Sequence, residues 1–192
     1  IERMMTLRAI LVVMAGVLAM APAPGMLAAF TGTYVTDSFD RTVANGLGDA
    51  PMGGTYQLSG GPAGDFRVAD GVAALTLTGP GASRSAALPK VVARDVDLRA
   101  SFRWDRPATG WGTQLYLAAR LVDGYNEYRM RARIAPTGRV YLQVLRATGS
   151  GEVALAPEQV VTGLTATPGS KLWLRGEAAG ANPTTVRLRA WL

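Results

Sequence analysis

Short segments of β propensity, separated at close intervals by glycine, proline, asparagine and aspartate, fill the chain from residue 31 to its end. Turn signals of this kind include Asp70-Gly71, Pro136-Thr137-Gly138 and Pro168-Gly169. Several short strands at a spacing of about ten residues are typical of antiparallel all-β proteins. After residue 30 we find no apolar stripe with the period of a helix, so the pattern predicts an all-β chain.

The alternation of side chains indicates how these strands pack. Between residues 127 and 135 every second position is apolar, namely Tyr128, Met130, Ala132 and Ile134. The positions between them carry charge, namely Glu127, Arg129, Arg131 and Arg133. Val186, Leu188 and Ala190 alternate in the same way with Arg187, Arg189 and Trp191. Each strand therefore buries one face and wets the other, which predicts two packed antiparallel sheets in a sandwich or jelly roll.

Composition excludes several kinds of chemistry. The 192 residues, 48% of them hydrophobic, are enough for one domain that needs no disulfide or metal to fold. The chain has no histidine and no cysteine. A Ser-His-Asp triad, a histidine-ligated zinc, thiol catalysis and an iron–sulfur cluster are therefore excluded for these residues.

The positive charge does not point to nucleic acid. The net charge is +6, with 18 Arg and 2 Lys, but acidic residues are interspersed among the arginines. Asp95 and Asp97, for example, alternate with Arg94 and Arg99, and no run of five like charges occurs. Without a basic cluster or a binding motif, we expect no nucleic-acid partner.

Residues 1–30 differ in composition from the rest of the chain. Two arginines precede an uncharged apolar stretch over residues 9–21, and a Pro/Gly segment follows it. This is typical of a secretory signal, and it is shorter than the about 20 residues that span a bilayer. Since the chain begins with Ile1, two interpretations stay open: a leader that starts at Met4 or Met5, or the end of an upstream domain plus a linker. In the second, residues 6–13 form a buried strand.

Residues 31–192 form the predicted sandwich, and its final strand has no end signal. The segment 184–192 stays apolar to the last residue without a turn or a polar cap. An unpaired apolar strand at the end of a domain would be an edge liability. We therefore expect a fragment of a longer parent chain, with the final strands missing.

Several short motifs carry a resemblance to a known group of domains. They are Asp37-Ser38-Phe39-Asp40-Arg41, Asn45-Gly46, Gly53-Gly54-Thr55-Tyr56, Asp65-Phe66-Arg67-Val68, Gly110-Trp111-Gly112 and Asn182-Pro183-Thr184-Thr185. Over about residues 33–192 the chain resembles concanavalin A-like (laminin-G-like) jelly-roll domains of secreted actinobacterial proteins and of minor tail proteins of their phages. Leu47 stands where the group usually has Trp, so no aromatic binding role is expected there.

Neither catalysis nor a firm metal site follows from the acidic residues. Hydrolases that share the jelly roll carry a Glu-x-Asp-x-x-Glu-like spacing, and the nearest pair here, Asp95 and Asp97, lies beside arginines that should keep both ionised. We expect no enzyme. Asp37, Asp40 and Asp49 flank a Gly-rich loop and could hold Ca²⁺, as in many lectin-like sandwiches. The alternative is that they cap turns through the backbone. No other cofactor is expected.

A polar and aromatic face is the remaining candidate site. The predicted ligand-binding residues are Arg99, Arg103, Gln114, Tyr116, Arg129, Arg131, Tyr141, Gln143 and Trp111. Aromatic rings beside planar polar side chains suit sugars; the alternative is a solvated ladder of arginines over rings. Trp104 and Trp111 bracket a loop, where an exposed indole would favour binding and a buried one would fill the core.

These observations predict a non-catalytic recognition module that works outside the producing cytoplasm and contacts a glycan or another cell-surface polymer. The first alternative is a structural or decorating domain of a phage minor tail protein. A weaker one is a targeting domain of a secreted hydrolase. The expected location is extracellular or in a virion tail, with the other domains of a longer chain as partners and without a membrane span.

Overall fold

The structure, a computed structural model, describes residues 7–14, 32–122 and 126–192. The described residues form antiparallel strands and one short 3-10 turn, Ala63–Asp65, which confirms the predicted all-β class. In chain order the strands are β1 (Leu7–Met14), β2 (Asp49–Ala50), β3 (Gly54–Thr55), β4 (Gln57–Ser59), β5 (Phe66–Ala69), β6 (Val72–Leu77), β7 (Ser85–Ala87), β8 (Val96–Phe102), β9 (Thr113–Val122), β10 (Asn126–Ile134), β11 (Arg139–Thr148), β12 (Gly151–Ala154), β13 (Gln159–Thr165), β14 (Leu172–Ala179) and β15 (Thr185–Trp191).

Two larger sheets and two strand pairs make up the fold. The first sheet has six strands in the order β15-β14-β8-β1-β6-β5. The second has five, in the order β12-β11-β10-β9, with β13 also paired to β11. Strands β2 and β3 form one pair, and β4 and β7 form the other. The predicted Asp70-Gly71 turn joins β5 to β6, and both residues have the positive φ that a two-residue hairpin of this type needs, 54° and 71°.

The inner faces of the two larger sheets share one hydrophobic core. Met130, Ala132 and Ile134 of β10 are buried in it, as the alternation predicts. From the six-stranded sheet it receives Leu172 and Leu174 of β14. Val186, Leu188 and Ala190 of β15 pack against the same cluster. The two sheets approach each other closely at Gly176 of β14, where a Cβ atom would overlap the Met130 sulfur. Only glycine fits there without movement of Met130.

A second cluster of buried residues lies between β5, β6 and the segment that precedes β2. Phe39 and Leu47 belong to this cluster, together with Phe66 of β5 and Leu75 of β6. Leu47 is 1% exposed, so the position where the domains that the motifs resemble usually carry Trp is a core position in this chain.

Strand β1 lies within the six-stranded sheet, antiparallel to β6 on one side and to β8 on the other. It falls in the segment that the sequence assigns either to a leader or to a strand. The remaining residues of 1–30 lie outside the described part, so the secretory signal stays a prediction. Among the described residues no helix is long and apolar enough to cross a membrane.

Candidate ligand-binding face

The outer face of the five-stranded sheet brings most of the predicted ligand-binding residues together. Arg131 of β10 lies opposite Tyr116 of β9 and Gln143 of β11. Arg133 lies opposite Gln114 and Tyr141 in the same two strands. Directly opposed residues share one face of a sheet. We call this set the arginine face, and its members are Gln114, Tyr116, Arg129, Arg131, Arg133, Tyr141 and Gln143.

Trp111 covers the middle of the arginine face from the loop before β9. The Cζ atoms of Arg131 and Arg133 lie 4.8 and 4.9 Å from the centre of its ring. Arg133 Nη1 also donates a hydrogen bond of 3.0 Å to the Trp111 carbonyl oxygen. Gly112, with φ of 116°, follows it at a point where a Cβ would collide with the Ile134 carbonyl oxygen. These contacts hold Trp111 in place while 57% of the residue stays exposed.

Trp104 and Trp111 have opposite environments. Trp104 is 2% exposed and belongs to the shared core, which is the core-filling role that the sequence allowed for a buried indole. The exposed indole of Trp111 is the feature that the sequence associates with binding. Of the two tryptophans, Trp111 is therefore the candidate binding residue.

A carboxylate from the connection between β12 and β13 pairs with the two central arginines. Glu158 accepts hydrogen bonds of 3.0 Å from Arg133 Nε and 3.2 Å from Arg131 Nη2. The hydrogen bond from Arg133 lowers the pKa of the Glu158 carboxyl, and the Glu158 carboxylate raises the pKa of the Arg133 guanidinium. Arg133 is also stacked on Tyr141, with its Cζ 4.2 Å from the ring centre. The ring and the carboxylate both favour the charged form of Arg133.

Gln143 ties the same connection to the sheet. Its Oε1 accepts a hydrogen bond from Arg131 Nη2, and its Nε2 donates one of 3.1 Å to the Ala156 carbonyl oxygen. Residues 155–158 thereby cover the outer face, and Arg131 and Arg133 are only 6% and 8% exposed. The expectation of a solvated arginine row was wrong for these two residues, because a chain segment from outside the strands lies over them.

The remaining members lie around this centre. Tyr116 donates a hydrogen bond of 2.6 Å to Gln114 Oε1, and burial raises the pKa of the Tyr116 phenol. Arg129 pairs with Glu127 and, at 2.6 Å, with Glu152. Among the described residues, Arg131 Nε is buried without a hydrogen-bond partner.

Arg99 and Arg103 do not join the arginine face. Arg99 lies in β8 of the six-stranded sheet, where its Cζ is 4.4 Å from the centre of the Trp173 ring. Arg103 follows the end of β8 and is exposed. The predicted single face is therefore divided between the outer faces of two sheets, because strand periodicity does not reveal which sheet a strand joins.

The structure does not bring Asp37, Asp40 and Asp49 together as a group of carboxylates that could hold a metal ion. Asp37 is 1% exposed and accepts hydrogen bonds from the Phe39 amide at 2.8 Å, from Arg41 at 2.8 Å and from Tyr56 at 3.0 Å. These donors occupy both carboxylate oxygens, so none is left for a cation. In the part of the chain that the structure describes, no three Asp, Glu, His or Cys residues are close enough to hold a metal ion. Asp37 instead caps a turn, the alternative that its sequence context allowed.

The Asp95 and Asp97 carboxylates are both engaged by arginines. Asp95 accepts hydrogen bonds from Arg94 and from the Gly180 amide, and these lower the pKa of its carboxyl. Asp97 pairs with Arg175. The lowered pKa of Asp95 is opposite to what a general acid needs.

Sequence reasoning missed Glu158 and Trp173. Glu158 has no signal of its own in the sequence, because its partners are more than 20 positions away. Trp173 could have been found, since it alternates in phase with Arg175 on the outer side of β14.

Comparison of the chain with models of known protein families, with curated proteins and with solved structures gave no match. The resemblance to concanavalin A-like domains therefore stays a prediction from the sequence motifs.

Proposed function

We propose that this chain is a non-catalytic recognition module that works outside the producing cytoplasm and binds surface carbohydrate at Trp111 and the arginine face. We further propose that its sheets form a jelly-roll sandwich of the concanavalin A-like kind. The core shared by the two larger sheets supports this fold, because a sandwich buries the inner faces of two sheets against each other. A fold does not name a ligand, so the functional proposal depends on the site.

The observation that carries the proposal is the support beneath Trp111. An exposed indole normally loses side-chain freedom when a ligand binds, and that loss opposes binding. Two guanidiniums within 5 Å and a hydrogen bond to its carbonyl oxygen already restrict Trp111. A ligand that stacks on this ring therefore meets a preorganised surface.

The surroundings of Trp111 favour a neutral sugar. Sugar rings present C–H groups that pack on aromatic faces, and their hydroxyls need polar partners at the edge. Exposed Gln114 and half-buried Tyr141 supply such partners on the same face. Three carboxylates, those of Glu127, Glu152 and Glu158, balance the three arginines of the face, so it carries little free positive charge for an anionic group.

A glycan array tests the proposal with three proteins: the wild type, Trp111→Ala and Tyr34→Ala. Tyr34 is the matched control, because it is also an exposed aromatic residue, at 48%. We expect the wild type and Tyr34→Ala to bind the same neutral glycans. Trp111→Ala should lose at least about tenfold in affinity, the equivalent of about 1.4 kcal/mol. Equal binding by all three proteins would exclude Trp111 as the binding residue.

The second candidate function is a structural domain of a phage minor tail protein. It is favoured by the internal pairing of the arginine face, since Glu127, Glu152 and Glu158 neutralise its three arginines without a ligand. A wild-type protein that binds no glycan on the array would favour this candidate over recognition.

A further inference from the structure

Two tryptophans lie directly opposite each other on the outer face of the six-stranded sheet. Trp173 of β14 pairs with Trp191 of β15. Their rings are nearly parallel, with an interplanar angle of 8° and 6.2 Å between the ring centres. Because the inner faces of both large sheets meet in one core, this pair and the arginine face are on opposite sides of the protein.

Three exposed cations surround the tryptophan pair. The Cζ atom of Arg99 lies 4.4 Å from the centre of the Trp173 ring and 5.3 Å from that of Trp191. Lys171 Nζ lies 4.6 Å from the Trp173 ring, and Arg189 Cζ lies 4.9 Å from the Trp191 ring. We call these five residues the tryptophan–cation cluster.

No carboxylate in the described part of the chain neutralises the positive charge of this cluster. Within the described residues, no carboxylate lies within salt-bridge distance of Arg99, Arg189 or Lys171, although the next row of the same face holds two. Those two, Asp97 and Glu177, pair with Arg175 and Arg187. The cluster therefore differs from the arginine face, where the protein supplies the acid.

We infer that the tryptophan–cation cluster is a second binding site, for an anionic carbohydrate whose carboxylate or sulfate groups pair with Arg99, Arg189 and Lys171. A cation on an aromatic ring is held in place by the ring while its outward N–H groups stay available as donors. Carboxylate and sulfate oxygens are the acceptors that form charge-assisted bonds with such donors. The choice of a carbohydrate as the ligand rests on the proposed function. The negative charge of that ligand is inferred from the three cations that have no carboxylate partner among the described residues.

The geometry favours an acidic polysaccharide over single-stranded nucleic acid. Nucleic-acid single strands bind through bases stacked on aromatic rings as well as through phosphates. Arg99, Lys171 and Arg189 already lie over the two rings. A base would have to displace one of these cations before it could stack on the ring.

Titration calorimetry with polygalacturonate tests the inference. The test variant carries two substitutions, Arg99→Gln and Arg189→Gln. The matched control also carries two, Arg94→Gln and Arg187→Gln. Both lose two charges, but the control arginines are exposed ones that pair with Asp95 and Glu177. We expect the wild type to bind with an affinity that falls as salt is added. The test variant should bind at least about tenfold more weakly, and the control within about threefold of wild type.

Further arms separate this inference from the proposed function. Trp111→Ala should keep wild-type affinity for polygalacturonate, and the double Arg99/Arg189 variant should keep its binding to neutral glycans. Equal losses in both double variants would mean attraction by net charge alone and would overturn the site. Tighter binding to a thymidine oligonucleotide than to polygalacturonate would overturn the ligand class. If the test variant does not fold, Lys171→Gln replaces it, and unchanged affinity in that variant also counts against the site.

Discussion

The Glu158 carboxylate accepts three hydrogen bonds from the Arg133 guanidinium: from Nε to Oε1 at 3.0 Å and to Oε2 at 3.2 Å, and from Nη2 to Oε2 at 2.5 Å. Glu158 belongs to the connection between β12 and β13, whereas Arg133 lies in β10, an inner strand of the sheet that this connection covers. This ion pair helps to hold the connection over the outer face, together with the hydrogen bond from Gln143 to Ala156. The same carboxylate also reaches Arg131. Part of the outer face of this sheet is therefore buried.

Glu158→Gln should destabilise the fold. The substitution leaves the charge of Arg133, 8% exposed, without its carboxylate, and a buried charge that loses its partner is costly. We expect a loss of about 2 kcal/mol in the free energy of unfolding, measured by urea denaturation. Glu152→Gln is the control, since the Glu152–Arg129 pair is about one-third exposed on each side and should be worth less than about 1 kcal/mol. Equal losses would mean that the connection is not fixed by Glu158.

The effect of Glu158 should depend on pH in the acid range. The hydrogen bond from Arg133 lowers the pKa of Glu158 in the folded state below that in the unfolded chain. The ion pair therefore contributes fully above the ordinary glutamate pKa of about 4.3, and the contribution is lost as pH falls through the lower folded value. The stability difference between wild type and Glu158→Gln should be constant from about pH 6 to 8 and shrink below about pH 4. A difference that grows on acidification would contradict this assignment.

Local periodicity predicted the strands and their inner faces, but not what lies over the outer faces. In β10 the alternation correctly assigned Met130 and Ile134 to the core. The same alternation assigned Arg131 to solvent, and it is buried because residues 155–158 and Trp111 cover it. Burial of an outer position depends on contacts between segments distant in sequence. Periodicity within one strand carries no information about them.

Individual residues of the candidate site could be predicted from the sequence, but their arrangement in space could not. Arg131, Tyr141 and Gln143 lie together because β10 and β11 are neighbours in sequence as well as in the sheet. Arg99 was grouped with them, yet β8 pairs with β14, more than 70 residues further along the chain. The two strands of a hairpin can be recognised in a sequence by the turn signal between them. Pairing between strands that are more than 70 residues apart has no such signal.

Asp37→Asn should strongly destabilise the second buried cluster, which lies between β5, β6 and the segment that precedes β2. The Asp37 carboxylate accepts the Phe39 amide, both Nη atoms of Arg41 and the Tyr56 hydroxyl, and it is almost fully buried. An amide cannot accept at both ends, so Arg41 loses its charge partner and at least one donor is left unmatched. We expect a loss of about 3 kcal/mol by urea denaturation.

Asp40→Asn is the control for this experiment, because Asp40 is exposed in the same motif. A substitution at such a position should change the free energy of unfolding by less than about 0.5 kcal/mol. Similar effects at both positions would mean that Asp37 is not the centre of the buried hydrogen-bond group.

Gly176→Ala tests the contact between the two larger sheets. The new methyl group would overlap the sulfur of Met130 across the core, and overpacking of this kind costs about 1–3 kcal/mol. Met130→Ala alone should cost about 2–5 kcal/mol, because it leaves a cavity. In the double variant the alanine methyl occupies part of that cavity, so the combined loss should be smaller than the sum by at least about 0.5 kcal/mol. Gly149→Ala, which has no atom within 4 Å of the added Cβ, should instead be additive with Met130→Ala in the same urea denaturation measurements. Additive losses for Gly176→Ala as well would mean that β14 and β10 do not face each other across the core.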